Sequence, residues 1–161
     1  MTHRIAPFLV CAALAGCSSV PLEPARPAPA APGTETVETT RDGTSTAATL
    51  DAYKRDLAHR IVQTNSVQVF TGRPQALLRS VVVVKYHVDA NGRLTRSDIL
   101  RSNRDRATET TALAALRKTA PFPKPASHLL RHGQVEIMET WLFNNDGRFQ
   151  LRTIAEPQMA D

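Results

Sequence analysis

The stretch from Ser80 to Val88 constrains this chain more than any other. Val81, Val82, Val83 and Val84 lead into Lys85-Tyr86-His87-Val88, a β-branched and aromatic run that suits a pleated sheet better than a helix. Val82, Val84, Tyr86 and Val88 share one face by the two-residue period of a strand. On the other face Val81 and Val83 give way to Lys85 and His87. One face is therefore expected to be fully buried and the second covered only at its start. Asp89-Ala90-Asn91-Gly92 follows at once. Asn-Gly tolerates the positive φ angles of a tight hairpin turn, so Asn91 and Gly92 are assigned to a structural turn.

A second strand is expected from Arg93 to Arg101. Its apolar residues Leu94 and Ile99 lie five positions apart and would face opposite sides of a regular strand. A bulge near Arg96-Ser97 would return both to the core. Ahead of this hairpin, Tyr53, Leu57 and Ile61, with Ala58 and Val62 beside them, mark an amphipathic helix between Leu50 and Asn65 that Gly72-Arg73-Pro74 closes off. After it, Ser102, Asn103 or Asp105 can cap a helix whose buried stripe is Ala112, Leu113, Ala115 and Leu116, running to Thr119. Pro121-Phe122-Pro123-Lys124-Pro125 must then leave the helix extended.

Gln134 to Phe143 reads as a third strand with Val135, Ile137, Glu139, Trp141 and Phe143 on one face. Asn145-Asp146-Gly147 turns the chain back, Asp146 and Gly147 being the turn residues, into a return strand from Arg148 to Ile154. Helix, hairpin, helix, hairpin gives an α+β domain: a small antiparallel sheet of three or four strands packed by two helices.

The N-terminal third has a different character. His3 and Arg4 precede an apolar stretch from Ile5 to Ala13, and Leu14-Ala15-Gly16-Cys17 follows. This is the pattern of a bacterial lipoprotein signal, with residues 1–16 removed and the thiol of Cys17 acylated; the apolar stretch is too short for a permanent span. Two or three acyl chains there make a stable membrane anchor. Ser18 follows, with no Asp to resemble an inner-membrane retention signal, so the periplasmic face of the outer membrane is the expected location. The chain has two cysteines, Cys11 and Cys17. On this reading the mature chain keeps no free thiol, which excludes disulfides, Cys-ligated metal and a Cys nucleophile. Residues 17–49, rich in Pro, Ala and Thr, are expected to be a disordered tether, residues 50–155 the folded domain, and 156–161 a tail.

From Leu50 to Ile154 there are 17 Lys or Arg against 9 Asp or Glu. Export sets nucleic acid aside and makes an anionic lipid, lipopolysaccharide, peptidoglycan or an acidic protein surface the expected counterpart of this basic domain, a merely solvated basic surface remaining open.

The run Val82 to Leu94, the following Ile99-Leu100-Arg101-Ser102, the Ala-Leu-Ala-Ala-Leu-Arg helix at 112–117 and Pro121-Phe122-Pro123 come in an order that resembles the C-terminal domain of TonB and its relatives. The resemblance covers about Pro74 to Ile154. It implies a domain that meets outer-membrane transporters in the periplasm and adds a short partner segment to its sheet edge. Two features depart from it. The anchor is lipid where TonB has a transmembrane helix, and Arg73-Pro74 stands where a Tyr-Pro pair commonly opens the domain. The fold and the binding role are carried over; energy transduction is not.

Candidate chemistry is sparse. Neither Gly-x-Ser-x-Gly nor His-Glu-x-x-His occurs, and no phosphate-cradling Gly-rich loop is present, so no enzyme and no cofactor are expected. His128 and His132 have the spacing of two metal ligands on a helix but no evident third ligand, so no metal is assigned. His59 is placed on the exposed face of the first helix, Glu136 and Glu139 on opposite faces of the third strand, and Trp141 and Phe143 in the core. The partner site is placed on the last strand, where Arg148, Gln150 and Arg152 face outward around Leu151: an edge defended by charge yet able to receive an acidic extended segment.

Overall fold

The computed structural model describes residues 37–159. The expectations for the signal segment, for Cys17 and for the tether as far as residue 36 lie outside them. The described chain forms helix α1 (Leu50–Thr64), strands β1 (Ser80–Asp89) and β2 (Leu94–Arg101), helix α2 (Arg106–Thr119), and strands β3 (Gln134–Phe143) and β4 (Phe149–Leu151). The four strands make one antiparallel sheet in the order β2-β1-β3-β4. The α+β architecture read from the sequence is the one observed.

α1 starts where Thr49 accepts a hydrogen bond from the Ala52 N–H at 3.2 Å, satisfying one of the free donors of the first turn. It buries Tyr53, Leu57, Ala58, Ile61 and Val62. At its end Asn65, fully buried, donates from Nδ2 to Ile61 O at 2.8 Å and to Ala115 O of α2 at 3.2 Å, stitching the helices together. Of the three candidate caps for α2 the chain uses Asp105, which accepts from the Ala107 and Thr108 N–H groups. Ala112 and Ala115 let α2 lie close against β1 and β2; Leu113 is only half-buried.

The face carrying Val82, Val84, Tyr86 and Val88 of β1 and Val135, Ile137, Trp141 and Phe143 of β3 is the core floor, closed by the helices. Burial of an apolar floor of this kind is the main favourable term for a domain of this size. Its strands pair in register, Val82 with Trp141 and Tyr86 with Ile137. Leu94 and Ile99 of β2 both reach this core, against Val88 and Val84, because the strand bulges. The bulge that brings them to one side sits at Thr95, just before the position expected, and a second follows at Leu100.

The first hairpin is a three-residue loop. Gly92 N–H donates to Asp89 O, Asp89 Oδ1 accepts from the Asn91 and Arg93 N–H groups, and Gly92 alone takes a positive φ, +79°. Asn91 is therefore not left-handed, and the expected Asn-Gly pair of positive φ angles is corrected to a turn closed by one left-handed glycine. In the second hairpin Gly147 has φ +80° and Asp146 accepts from the Arg148 N–H, as its turn residues were assigned to do.

Two boundaries move. Residues 38–47, assigned to the tether, pack on the domain: Ser45 and Ala47 are buried, Ser45 N–H donates to Lys124 O, Lys124 N–H donates to Gly43 O, and Lys124 pairs with Asp42 at 3.7 Å. The Pro-rich exit from α2, having no regular partner in the sheet, is stapled on one side to this segment and on the other to Gly92, whose carbonyl accepts from Phe122 N–H at 2.8 Å. The return strand is also shorter than expected. It pairs only from Phe149 to Leu151, and Arg152-Thr153-Ile154 turn away.

Candidate functional site at the edge of β3

In an antiparallel ladder the peptide groups of alternate residues point to opposite neighbours. Gln134, Thr140 and Leu142 point theirs away from β1: Gln134 exchanges hydrogen bonds with Arg131, Thr140 O accepts from Arg152 N–H at 2.9 Å, and Leu142 faces Gln150 of β4. Glu136 and Met138 share that phase. Because β4 ends after three residues while β3 has ten, the N–H and C=O groups of Glu136 and Met138 have no partner among the described residues. Both residues are exposed. The result is a notch in the sheet, a regular stretch of central strand with two residues' worth of open backbone hydrogen bonding.

The side chain of Glu139 closes the notch at one end. On the core face of β3 and 2% exposed, it accepts through Oε1 from its neighbour Thr140 N–H at 2.7 Å and from Thr153 N–H at 3.4 Å, standing in for the strand that β4 does not extend. Its Oε2 is buried without a partner. Burial raises its pKa, opposed by the hydrogen bonds from Thr153 and Thr140 and by the charge of Lys54. At the other end a cleft of about 390 Å³ opens beside Gln134, with Leu50, His87, His128, Arg131 and His132 among its walls. There His128 Nε2 lies 2.9 Å from Ala48 O, and His87 Nε2 lies 3.1 Å from Glu136 Oε2, which Lys85 also approaches at 3.7 Å.

The edge assigned from the sequence is closed. Gln150, expected to face outward, is buried at 3% exposure and donates from Nε2 to Phe70 O at 2.9 Å and Gly72 O at 2.8 Å. Phe70 N–H donates to Phe149 O, and Val69 bridges Phe149 in parallel, so Val69-Phe70 already occupies the outer side of β4. Leu151 is fully buried. Arg148 and Arg152 are exposed as expected, Arg148 being paired with Asp146 at 2.7 Å. The physical reason is that Gln150 has backbone carbonyls within reach, so its amide is satisfied inside the fold. The signal for this cover was the apolar pair Val69-Phe70 just before Gly72-Arg73-Pro74.

β2, the other outer strand, is blunted in the manner of natural edges: it bulges near both ends, and Arg96, Asp98 and Arg101 project from it.

The remaining candidates fall apart in space. His128 sits in a short 3-10 turn and His132 beyond it at φ +51°, so the two share no helical face. Among the described residues no group of three or more His, Cys, Asp or Glu is placed to hold a metal ion. His59 is half-buried on α1, more enclosed than the exposed position expected for it. Glu136 and Glu139 face opposite sides of β3, and Trp141 and Phe143 are fully buried, out of reach of any ligand.

Among the described residues no helix is long and apolar enough to cross a membrane. No family model, curated protein or solved structure matches this chain.

Proposed function

We propose that this chain is a lipid-anchored envelope adaptor that binds an extended segment of a periplasmic or outer-membrane protein by adding it as a strand along β3. The observation that carries the reading is the open backbone of Glu136 and Met138 in an otherwise regular strand. An unpaired, uncovered edge stretch is the template that strand addition uses, main-chain hydrogen bonds supplying affinity and the flanking cleft supplying side-chain selection. The sequence resemblance to the TonB C-terminal domain and the lipobox ending in Cys17 support a role at the outer membrane, in the neighbourhood of TonB-type transport. The lipid anchor sets this chain apart from an energy transducer, because an acyl chain has no means of receiving motion from a protein motor.

The test is capture of partners from envelope extracts by the wild-type chain and by Met138→Pro, which deletes one of the open edge donors while the ladder to β1 keeps its own. Circular dichroism verifies the fold. Amide exchange at Glu136 and Met138 is fast in the free protein and slows when a partner strand is seated. A folded Met138→Pro chain that captures the same partners as wild type refutes strand addition here.

A further inference from the structure

The face of the sheet turned away from the helices carries a second surface, which takes in the Met138 side chain but none of the open peptide groups of β3. On it Val81 is 39% exposed, Met138 52% and Leu100 48%, while Leu77, in the segment leading into β1, is 80% exposed. Leu100 occupies the second bulge, between Ile99, which pairs with Val84 and faces the core, and Arg101, which pairs with Val83. These residues are large enough, and exposed enough, to need an explanation beyond the scattered apolar side chains of ordinary surfaces.

A basic rim borders this patch. Residues 93–106 contain five Arg against two Asp. Both acids are engaged: Asp98 pairs with Arg96 at 2.7 Å, and Asp105 pairs with Arg79 at 2.8 Å while capping α2. Glu109, the next acid along, is hydrogen-bonded by Ser102 Oγ. Arg101, Arg104 and Arg106 are exposed and have no acidic partner among the described residues. Arg101 stands opposite Val83 on the open face, so the cationic rim and the apolar patch are continuous.

We infer that this corner, where exposed Leu100 adjoins Arg101 and the exposed Arg104 and Arg106 follow it in the chain, docks the domain on an anionic lipid surface. Guanidinium groups offer forked donors to headgroup phosphates, and leucines flanked by free cations are the arrangement that enters the boundary between headgroups and acyl chains. Three exposed arginines without an acidic partner among the described residues, in a stretch whose acids Asp98, Asp105 and Glu109 are all engaged, make an anionic occupant the complementary one. The inference does not rest on strand addition: β3 presents its open peptide groups sideways, in the plane of the sheet, and stays accessible when the open face is seated.

The test uses the chain from Ser18 to Asp161, which contains every described element and no acyl chain, so that lipid attachment supplies none of the binding. It cosediments with vesicles of phosphatidylglycerol and phosphatidylethanolamine, not with phosphatidylcholine vesicles, and binding falls with salt. Arg101→Ala with Arg104→Ala lowers vesicle affinity about twenty-five-fold, at roughly fivefold per arginine, with an unchanged melting curve. An environment-sensitive dye on Leu100→Cys shifts to the blue on anionic vesicles, while the same dye on Val67→Cys, at a position 91% exposed beyond the end of α1, does not. Equal binding to neutral vesicles, unaltered affinity of the double variant, or an unshifted dye at position 100 overturns the inference. So does cosedimentation with purified peptidoglycan while the vesicles stay bare, which would assign the surface to the wall polymer.

Discussion

Replacing Gly92 with Ala tests how the first hairpin is tied to the rest of the fold. A β-carbon built on Gly92 would lie 2.1 Å from Phe122 O and 3.1 Å from Phe122 C. Both are backbone atoms, so no side-chain rotation relieves the contact. The left-handed φ of +79° costs an Ala about 1 kcal/mol. Retreat of the Phe122 carbonyl breaks the bond from Phe122 N–H to Gly92 O, worth about 1 kcal/mol. It also shifts the Phe122 ring, which is buried and stacked on Tyr86 with centroids 6.0 Å apart, for about 1–2 kcal/mol of disturbed packing. The expected loss is about 3–4 kcal/mol, a large share of the stability of a small domain. Gly147 is the control, with φ +80° and only the flexible guanidinium of Arg79 at 3.6 Å. Gly147→Ala should therefore lose only the conformational term, about 1 kcal/mol. Urea unfolding followed by the single tryptophan, the buried Trp141, measures both. Equal losses in the two variants, at equal m-values, would refute the argument that the Pro-rich exit is seated on Gly92.

Other outcomes follow from the same geometry. Glu139 has its folded pKa raised by burial, so the folded state holds the proton more tightly than the unfolded chain; stability falls as pH rises from the ordinary glutamate range through the raised value, and Glu139→Gln abolishes that slope in melts taken across pH. Asn65→Ala removes the amide that bonds both helices and is expected to cost about 2 kcal/mol in the same unfolding assay, with Asn65→Asp no better because it lacks the donor. Phe70→Ala empties a buried site for about 3 kcal/mol and loosens the cover on β4, seen as faster exchange of the Gln150 side-chain amide. Cys17→Ser blocks fatty-acid labelling and leaves an unprocessed precursor; unchanged labelling and size would remove the lipoprotein assignment.

The elements legible in the sequence are those written by local rules. α1, β1 and β3 are found at or within a residue of their expected bounds because periodicity and burial agree along each of them. The bulge in β2 was readable from two apolar residues at the wrong spacing, since only an extra residue brings Leu94 and Ile99 to one side. The cover over the Pro-rich exit was not readable. It is built from Thr44, Ser45 and Lys124, whose pairing is parallel, long-range and made by backbone atoms, and nothing in a Thr- and Gly-containing segment announces which distant strand it will meet.

The site was hidden for a related reason. A free edge is a difference between two lengths, and the sequence displays each strand but not where a neighbour stops. Alternation through Arg148, Gln150 and Arg152 suggested a long return strand with a polar outer side. The fold instead turns at Arg152 and sends its N–H to Thr140 O. That single bond ends the pairing of β4 with β3, and Glu139, carried on the core face of the same strand, caps the next donor at Thr140. The free peptide groups of Glu136 and Met138 therefore follow from where the chain turns. Moving that turn by four residues in the C-terminal direction would let β4 continue along β3 past Met138 to Glu136, fill the notch from within the chain, and leave a partner strand nothing to bind.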